Sequence, residues 1–158
     1  MDRGSLTQRL LVLSNHRFGV RILCQGVAVP RESERRVLAL APRRLALIRE
    51  VVLSGVDEPW VYARSVLPLS SLNGELRHWR KLDARPLGAR LFDRPDLGRG
   101  ALEIGCLAVN SALAGRLGFG PENLLWGRRS VFTVGGKPLL VSEVFLPAFP
   151  AVRAPAED

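Results

Sequence analysis

The sequence predicts an α+β fold: an antiparallel sheet with helices packed on one face. Three observations point there. Short β-branched and aromatic runs dominate the chain. Two of the breaks between them, Gly55-Val56-Asp57-Glu58 and Gly135-Gly136, are tight-turn sequences that fold neighbouring runs into hairpins. Helical spacing is confined to short stretches between the strands, which segregates helices from sheet.

The elements follow in order. Residues 18–29, FGVRILCQGVAV, are apolar and β-branched and read as a strand. Residues 45–53, LALIREVVL, fit helix or strand by spacing. Ile48, Val51, Val52 and the SGVDEP turn that follows favour strand. WVYARSVLP, residues 60–68, is its hairpin partner, ended by Pro68. Residues 75–92 carry helical spacing, with Pro86 at a first-turn position before LGARLF. ALEIGCLAV (101–109) is another strand, and SALAGRLG (111–118) a short helix closed by Gly118. LLWGRRSVFTV and KPLLVSEVFLP flank Gly135-Gly136 as a second hairpin. The Pro- and Ala-rich end, 151–158, is expected to fray.

Composition narrows the function classes. The chain has 158 residues, enough for one domain with a real core, and its 47% hydrophobic and 24% charged content excludes disorder and collagen-like repeats. Its apolar runs are short and broken by charge or Pro, far from the roughly 20 residues of a membrane-crossing helix. Cys24 and Cys106 form no CxxC, so neither a disulfide framework nor a cysteine zinc site is expected. With a poor signal peptide at the N-terminus, the expected compartment is the cytoplasm.

The formal charge of +8 invites a nucleic-acid reading. The distribution argues otherwise. Lys81 and Lys137 are the only lysines, and the arginines are scattered rather than blocked. Arginine enrichment also suits carboxylate or phosphate binding, because the guanidinium is a planar fork that grips such groups bidentately.

Alternate residues of a strand share a face, and this rule singles out three charges. Arg49 shares its face with Leu45, Leu47, Val51 and Leu53, Arg64 with Trp60, Tyr62 and Val66, and Glu143 with Leu139, Val141 and Phe145. An unpaired buried charge costs several kcal/mol, so each needs a partner. Either the three pair structurally or sit on solvated faces, or they form a polar cluster in an apolar pocket. Two cationic forks and one carboxylate suit a small, multiply anionic ligand that also carries a hydroxyl.

Other candidates are weaker. His16 and His78 lack metal-ligand spacing, Ser70-Ser71 lacks a nucleophile elbow, and Gly118, Gly120 and Gly127 form no phosphate-cradling fingerprint. Trp126-Gly127-Arg128-Arg129-Ser130 is either an edge-strand entry with solvated arginines or part of a site.

The chain resembles the chorismate pyruvate-lyase family of ubiquinone biosynthesis. The stretches that carry the resemblance are IREVVL (48–53), EPWVYARSVLP (58–68), RPLGARLF (85–92), LEIG (102–105), LWGRRS (125–130) and GKPLLVSEVFLP (136–147). They occur in family order over most of residues 5–150. LWGRRS followed by GKPLL and a Glu before FLP is the most specific combination.

The resemblance implies a six-stranded antiparallel sheet with helices on one side, enclosing the ligand in a single domain over 1–158. It implies conversion of chorismate to 4-hydroxybenzoate and pyruvate without a cofactor or metal. Carried over position by position, Arg49 grips the ring carboxylate and Glu143 meets the ring hydroxyl. The backbone amides of Leu6 and Leu87 help to bind the carboxylate, and Arg64 holds the enolpyruvyl side. The implied partners are small molecules, with no nucleic acid, no membrane span and a monomeric chain. Three departures stand out. The chain begins almost at the motif matching Ser5-Leu6-Thr7, without the family's usual preceding helical segment. Ala63 replaces a common glycine, and residues 106–124 are longer than the usual connection. The same fold also serves as an effector-binding domain without catalysis, which is the alternative reading.

Overall fold

The computed structural model describes residues 18–81, 87–108 and 124–149. Six strands pair antiparallel in the order β1-β2-β3-β6-β5-β4. They are β1 (Phe18–Ala28), β2 (Ala46–Gly55), β3 (Glu58–Pro68), β4 (Leu97–Ala108), β5 (Leu124–Val134) and β6 (Lys137–Phe145). The expected α+β class, with an antiparallel sheet of six strands, is observed.

Both expected hairpins form. Gly135 and Gly136 adopt φ 58° and 79°, the doubly left-handed turn that matches strand twist and that glycine enters without steric cost. Val56 and Asp57 make the equivalent turn with side chains, at φ 51° and 64°. The β3–β6 pairing then sets the two hairpins side by side at the centre of the sheet.

Among the described residues, two helices and two 3₁₀ segments flank the sheet: α1 (Glu32–Leu38), Leu69–Ser71, Gly74–Lys81 and α2 (Leu87–Phe92). The stretch expected to be helical over 75–92 thus divides into a 3₁₀ segment and α2, with 82–86 outside the described residues. The expected helix at 111–118, most of the 106–124 connection, the 151–158 tail and His16 also lie outside them. Helix α1 was not anticipated, although its charge order marks it. Glu32 and Glu34 occupy the first turn and Arg35 and Arg36 the last, each sign opposing the helix dipole. Ala39 ends it in the left-handed region at φ 54°.

The layers differ in one respect from the expected single helical face. Leu72, Leu76, Trp79, Leu87 and Leu91 pack on Leu47, Leu67, Phe132 and Leu139, so the 3₁₀ segments and α2 cover one face. Leu38 of α1 packs on Ala46, Ile48, Val66 and Leu140, which point the other way. Both faces of the central strands are therefore buried, as the near-continuous burial of β2 and β3 shows.

The β2–β3 register carries an irregularity. Near the turn, Gly55 lies opposite Glu58 and Ser54 opposite Pro59, but Leu53 lies opposite Val61. Trp60 is the extra residue, and it packs against Phe149 with ring centroids 6.1 Å apart. A methyl group on Gly55 would run into the six-membered ring of Trp60. Gly55→Ala is accordingly expected to lower stability by about 1–3 kcal/mol in a urea melt, the usual cost of an added methyl in a filled space. An unchanged midpoint would show that the bulge is not held by this contact.

Candidate functional site

Three cross-strand rows order the middle of the sheet. The first is Gln25, Arg49, Ser65, Val141, Ser130 and Leu102. The next is Cys24, Glu50, Arg64, Ser142, Arg129 and Glu103. The third is Ile22, Val51, Ala63, Glu143, Arg128 and Ile104. Because strand side chains alternate, the first and third rows share one face and the second row takes the other.

Arg49 and Glu143 therefore project from the same face, the one covered by Trp79 and α2. They are two strands and two residues apart, a Cα separation of about 12 Å from standard sheet spacings. Arg49 is 1% exposed and donates from Nη1 to Gln25 Oε1 at 3.0 Å. Glu143 is half-buried, and its Oε2 accepts from Arg128 Nε at 2.8 Å. Its Oε1 accepts no hydrogen bond among the described residues. A guanidinium and a carboxylate placed in this way can meet opposite ends of a ligand that carries an anion at one end and a hydroxyl at the other.

Arg64 is on the reverse face. An unbroken two-residue hairpin through Gly55–Glu58 would set Arg49 opposite Arg64. The Trp60 bulge shifts the pairing by one residue, so Arg49 faces Ser65 and Glu50 faces Arg64. The structure thus brings Arg49 and Glu143 together and does not bring Arg64 to them.

On that reverse face Arg64 is enclosed by carboxylates. Its Nε and Nη2 donate to Glu34 at 2.7 and 2.9 Å, and its Nη1 to Glu50 at 2.6 Å. Burial pushes the Glu34 carboxyl up, but the hydrogen bonds and charge of Arg64, with the Arg31 amide, outweigh it and hold Glu34 below the usual carboxylate range. The Glu34 hydrogen bond, with the Glu34 and Glu50 charges, likewise raises Arg64 above an ordinary guanidinium against the opposing cost of burial. Burial and the Glu50 charge push the Tyr62 hydroxyl up. A cavity of about 410 Å³ opens beside this network, lined by Glu34, Tyr62, Arg64, Arg129, Ser142 and Val144 among others. The Arg64 fork there is already committed to two carboxylates, so the arrangement ties α1 to the sheet rather than receiving an anion.

Of the other expected contacts, Leu87 is buried at the start of α2, and Leu6 lies outside the described residues. Glu34 and Glu50 were not singled out from the sequence, and Arg128 only within the 126–130 stretch, with no role or partner given to it. The Gly135-Gly136 turn holds the signal for the last of these. Val134 pairs with Lys137, and counting back along both strands puts Arg128 opposite Glu143.

The family model described as "Chorismate lyase" matches residues 1–153. Two relatives carry the name "Probable chorismate pyruvate-lyase". The one from Marinobacter nauticus is 43% identical over 144 residues, covering 91% of this chain and 72% of the relative. The one from Methylococcus capsulatus is 43% identical over 149 residues, covering 93% and 91%. Among solved structures, the C-terminal domain of a histidine utilization repressor from Pseudomonas syringae superposes with TM-score 0.70 at 11% identity, covering 90% of this chain and 97% of that one. The effector domain of PhnF from Mycobacterium smegmatis gives 0.70 at 14%, covering 92% and 90%. At such identities these two likenesses concern the fold alone.

The buried carboxylate–guanidinium network sets an acid limit on stability. A carboxyl held below its unfolded value of about 4.3 stabilises the fold above that pH, and the contribution is lost as pH falls through the folded value. Glu34→Gln is expected to remove about 3 kcal/mol at pH 7 and to flatten the loss of stability below pH ~5, read by urea melts at several pH values. Parallel curves for the two proteins would show that Glu34 does not carry the acid dependence.

Proposed function

The chain belongs to the chorismate lyase family, and we propose that it converts chorismate to 4-hydroxybenzoate and pyruvate. The observation that carries this reading is the shared face of Arg49 and Glu143, with one Glu143 oxygen that accepts no hydrogen bond among the described residues. In this reading Arg49 holds the ring carboxylate and Glu143 accepts from the ring hydroxyl. The Leu87 amide, with that of Leu6, supports the carboxylate end. Arg64 takes a structural part through Glu34 and Glu50.

The chemistry is within reach of such a site. The C–H bonding pair at the hydroxyl-bearing carbon becomes ring π density. The ether C–O pair departs with the enolpyruvyl oxygen. The proton lost from the hydroxyl-bearing carbon balances the charge of the pyruvate enolate so released, whose protonation, directly or by way of solvent, gives pyruvate. Aromatisation supplies the driving force within the substrate, so the protein has to orient it, exclude water and stabilise charge on the departing oxygen. None of these tasks calls for a metal, flavin or nicotinamide. Delivery of 4-hydroxybenzoate to ubiquinone synthesis in the cytoplasm completes the reading.

A second reading follows from the likeness to effector domains: the same face binds an aromatic acid without turning it over. Incubation with chorismate separates the two. The proposal expects stoichiometric pyruvate and 4-hydroxybenzoate, and saturable 4-hydroxybenzoate binding without product would favour the effector reading. Arg49→Ala should lose roughly 10- to 100-fold in kcat/KM, the worth of a charge-assisted contact, and Glu143→Gln about tenfold. Near-parental turnover in Arg49→Ala would overturn the assignment of the carboxylate end.

A further inference from the structure

With Arg64 on the reverse face, the enolpyruvyl end of the substrate needs other contacts. Ser130 supplies the first sign of them. It is 3% exposed, and among the described residues its Oγ is the buried side-chain polar atom with no hydrogen-bond partner. A hydroxyl in that position costs about 1–3 kcal/mol of lost solvation, so a ligand that satisfies it is the physical expectation. Ser130 sits in the same row as Arg49 and is the diagonal neighbour of Glu143, roughly 7–8 Å away across β5–β6. It projects toward the ligand face, beside the end at which Glu143 meets the ring hydroxyl.

Arg128 stands two residues away on the same face. Its Nε is taken by Glu143, and its guanidinium lies over the Phe145 ring at 5.6 Å. Its two terminal nitrogens make no hydrogen bond among the described residues. The fork is thus anchored at one edge and open at the other. In the substrate, the ether carbon is next to the hydroxyl-bearing carbon. A side chain adjacent to Glu143 therefore lies where the ether oxygen and its enolpyruvyl carboxylate must be.

We infer that Ser130 and Arg128, both from the LWGRRS stretch, form the enolpyruvyl subsite, an inference that rests on the lyase reading above. Ser130 donates to the ether oxygen, on which charge grows as the C–O bond breaks. Arg128 takes the enolpyruvyl carboxylate with its terminal nitrogens while its Nε keeps Glu143 in place. The product ring keeps neither group, so these contacts belong to substrate and transition state.

The test compares Ser130→Ala and Arg128→Gln with the parent chain. It reads chorismate turnover, 4-hydroxybenzoate and benzoate affinity, and melting temperature. Ser130→Ala should lose tenfold or more in kcat/KM. It should bind 4-hydroxybenzoate within twofold of parental affinity and melt no lower, because the deleted hydroxyl had no partner. Arg128→Gln should raise KM for chorismate tenfold or more and leave benzoate affinity within twofold, since benzoate lacks both the enolpyruvyl group and the hydroxyl. Parental kcat/KM in Ser130→Ala, or equal losses of turnover and 4-hydroxybenzoate affinity, would overturn the inference while leaving the lyase reading intact. A lower melting temperature with unchanged kinetics would assign Ser130 to packing. A parent chain that releases no pyruvate from chorismate would overturn both readings.

Discussion

The alternation of side chains along a strand is the constraint on which this molecule depends, and a one-residue bulge decides how it falls. Both faces of the central strands are buried, so each charge among them must be met by something of opposite character. The Trp60 bulge sends Arg49 and Arg64 to opposite faces. From that single shift follow two different electrostatic environments a few ångströms apart. On one face the guanidinium of Arg64 is closed by two carboxylates. On the other, which also carries Arg49, hydrogen-bonding capacity remains in the open oxygen of Glu143, the terminal nitrogens of Arg128 and the orphaned hydroxyl of Ser130.

The reverse face explains how the ligand face is held. Glu34 belongs to α1, Glu50 to β2 and Arg64 to β3, so one buried network joins a helix to β2, which carries Arg49, and to its neighbour β3. Glu50 directly follows Arg49, and the backbone that fixes Glu50 against Arg64 also fixes the direction in which Arg49 leaves the sheet. Rigid support of this kind is what a site needs if it accelerates a reaction mainly by orientation.

Much of this was legible in the sequence. The hairpins could be read because Gly135-Gly136 and the SGVDEP turn each interrupt β-branched runs, and period-two patterning correctly marked Arg49, Arg64 and Glu143 as charges on otherwise apolar faces. Alternation alone says which residues share a face within one strand. It does not say how neighbouring strands are registered, and so Arg64 was grouped with Arg49. The bulge that separates them leaves no turn residue behind. Trp60 reads as an ordinary strand residue, and only its packing against Phe149 and beside Gly55 makes it the extra one. Arg128 was within reach by counting back from the glycine pair. Ser130 was named only within the same 126–130 stretch, because an unsatisfied hydroxyl is a property of the packed structure. The expected Leu6 contact falls outside the described residues.

The claim that the two faces divide function from support can be tested on the arginines themselves. In a nitrogen-15 spectrum of the guanidinium Nε–H groups, 4-hydroxybenzoate should move the Arg49 signal and, through Glu143, that of Arg128. The Arg64 signal, held at 2.7 Å by Glu34 on the other face, should stay where it is. A titration in which Arg64 shifts with ligand and Arg49 does not would contradict the account.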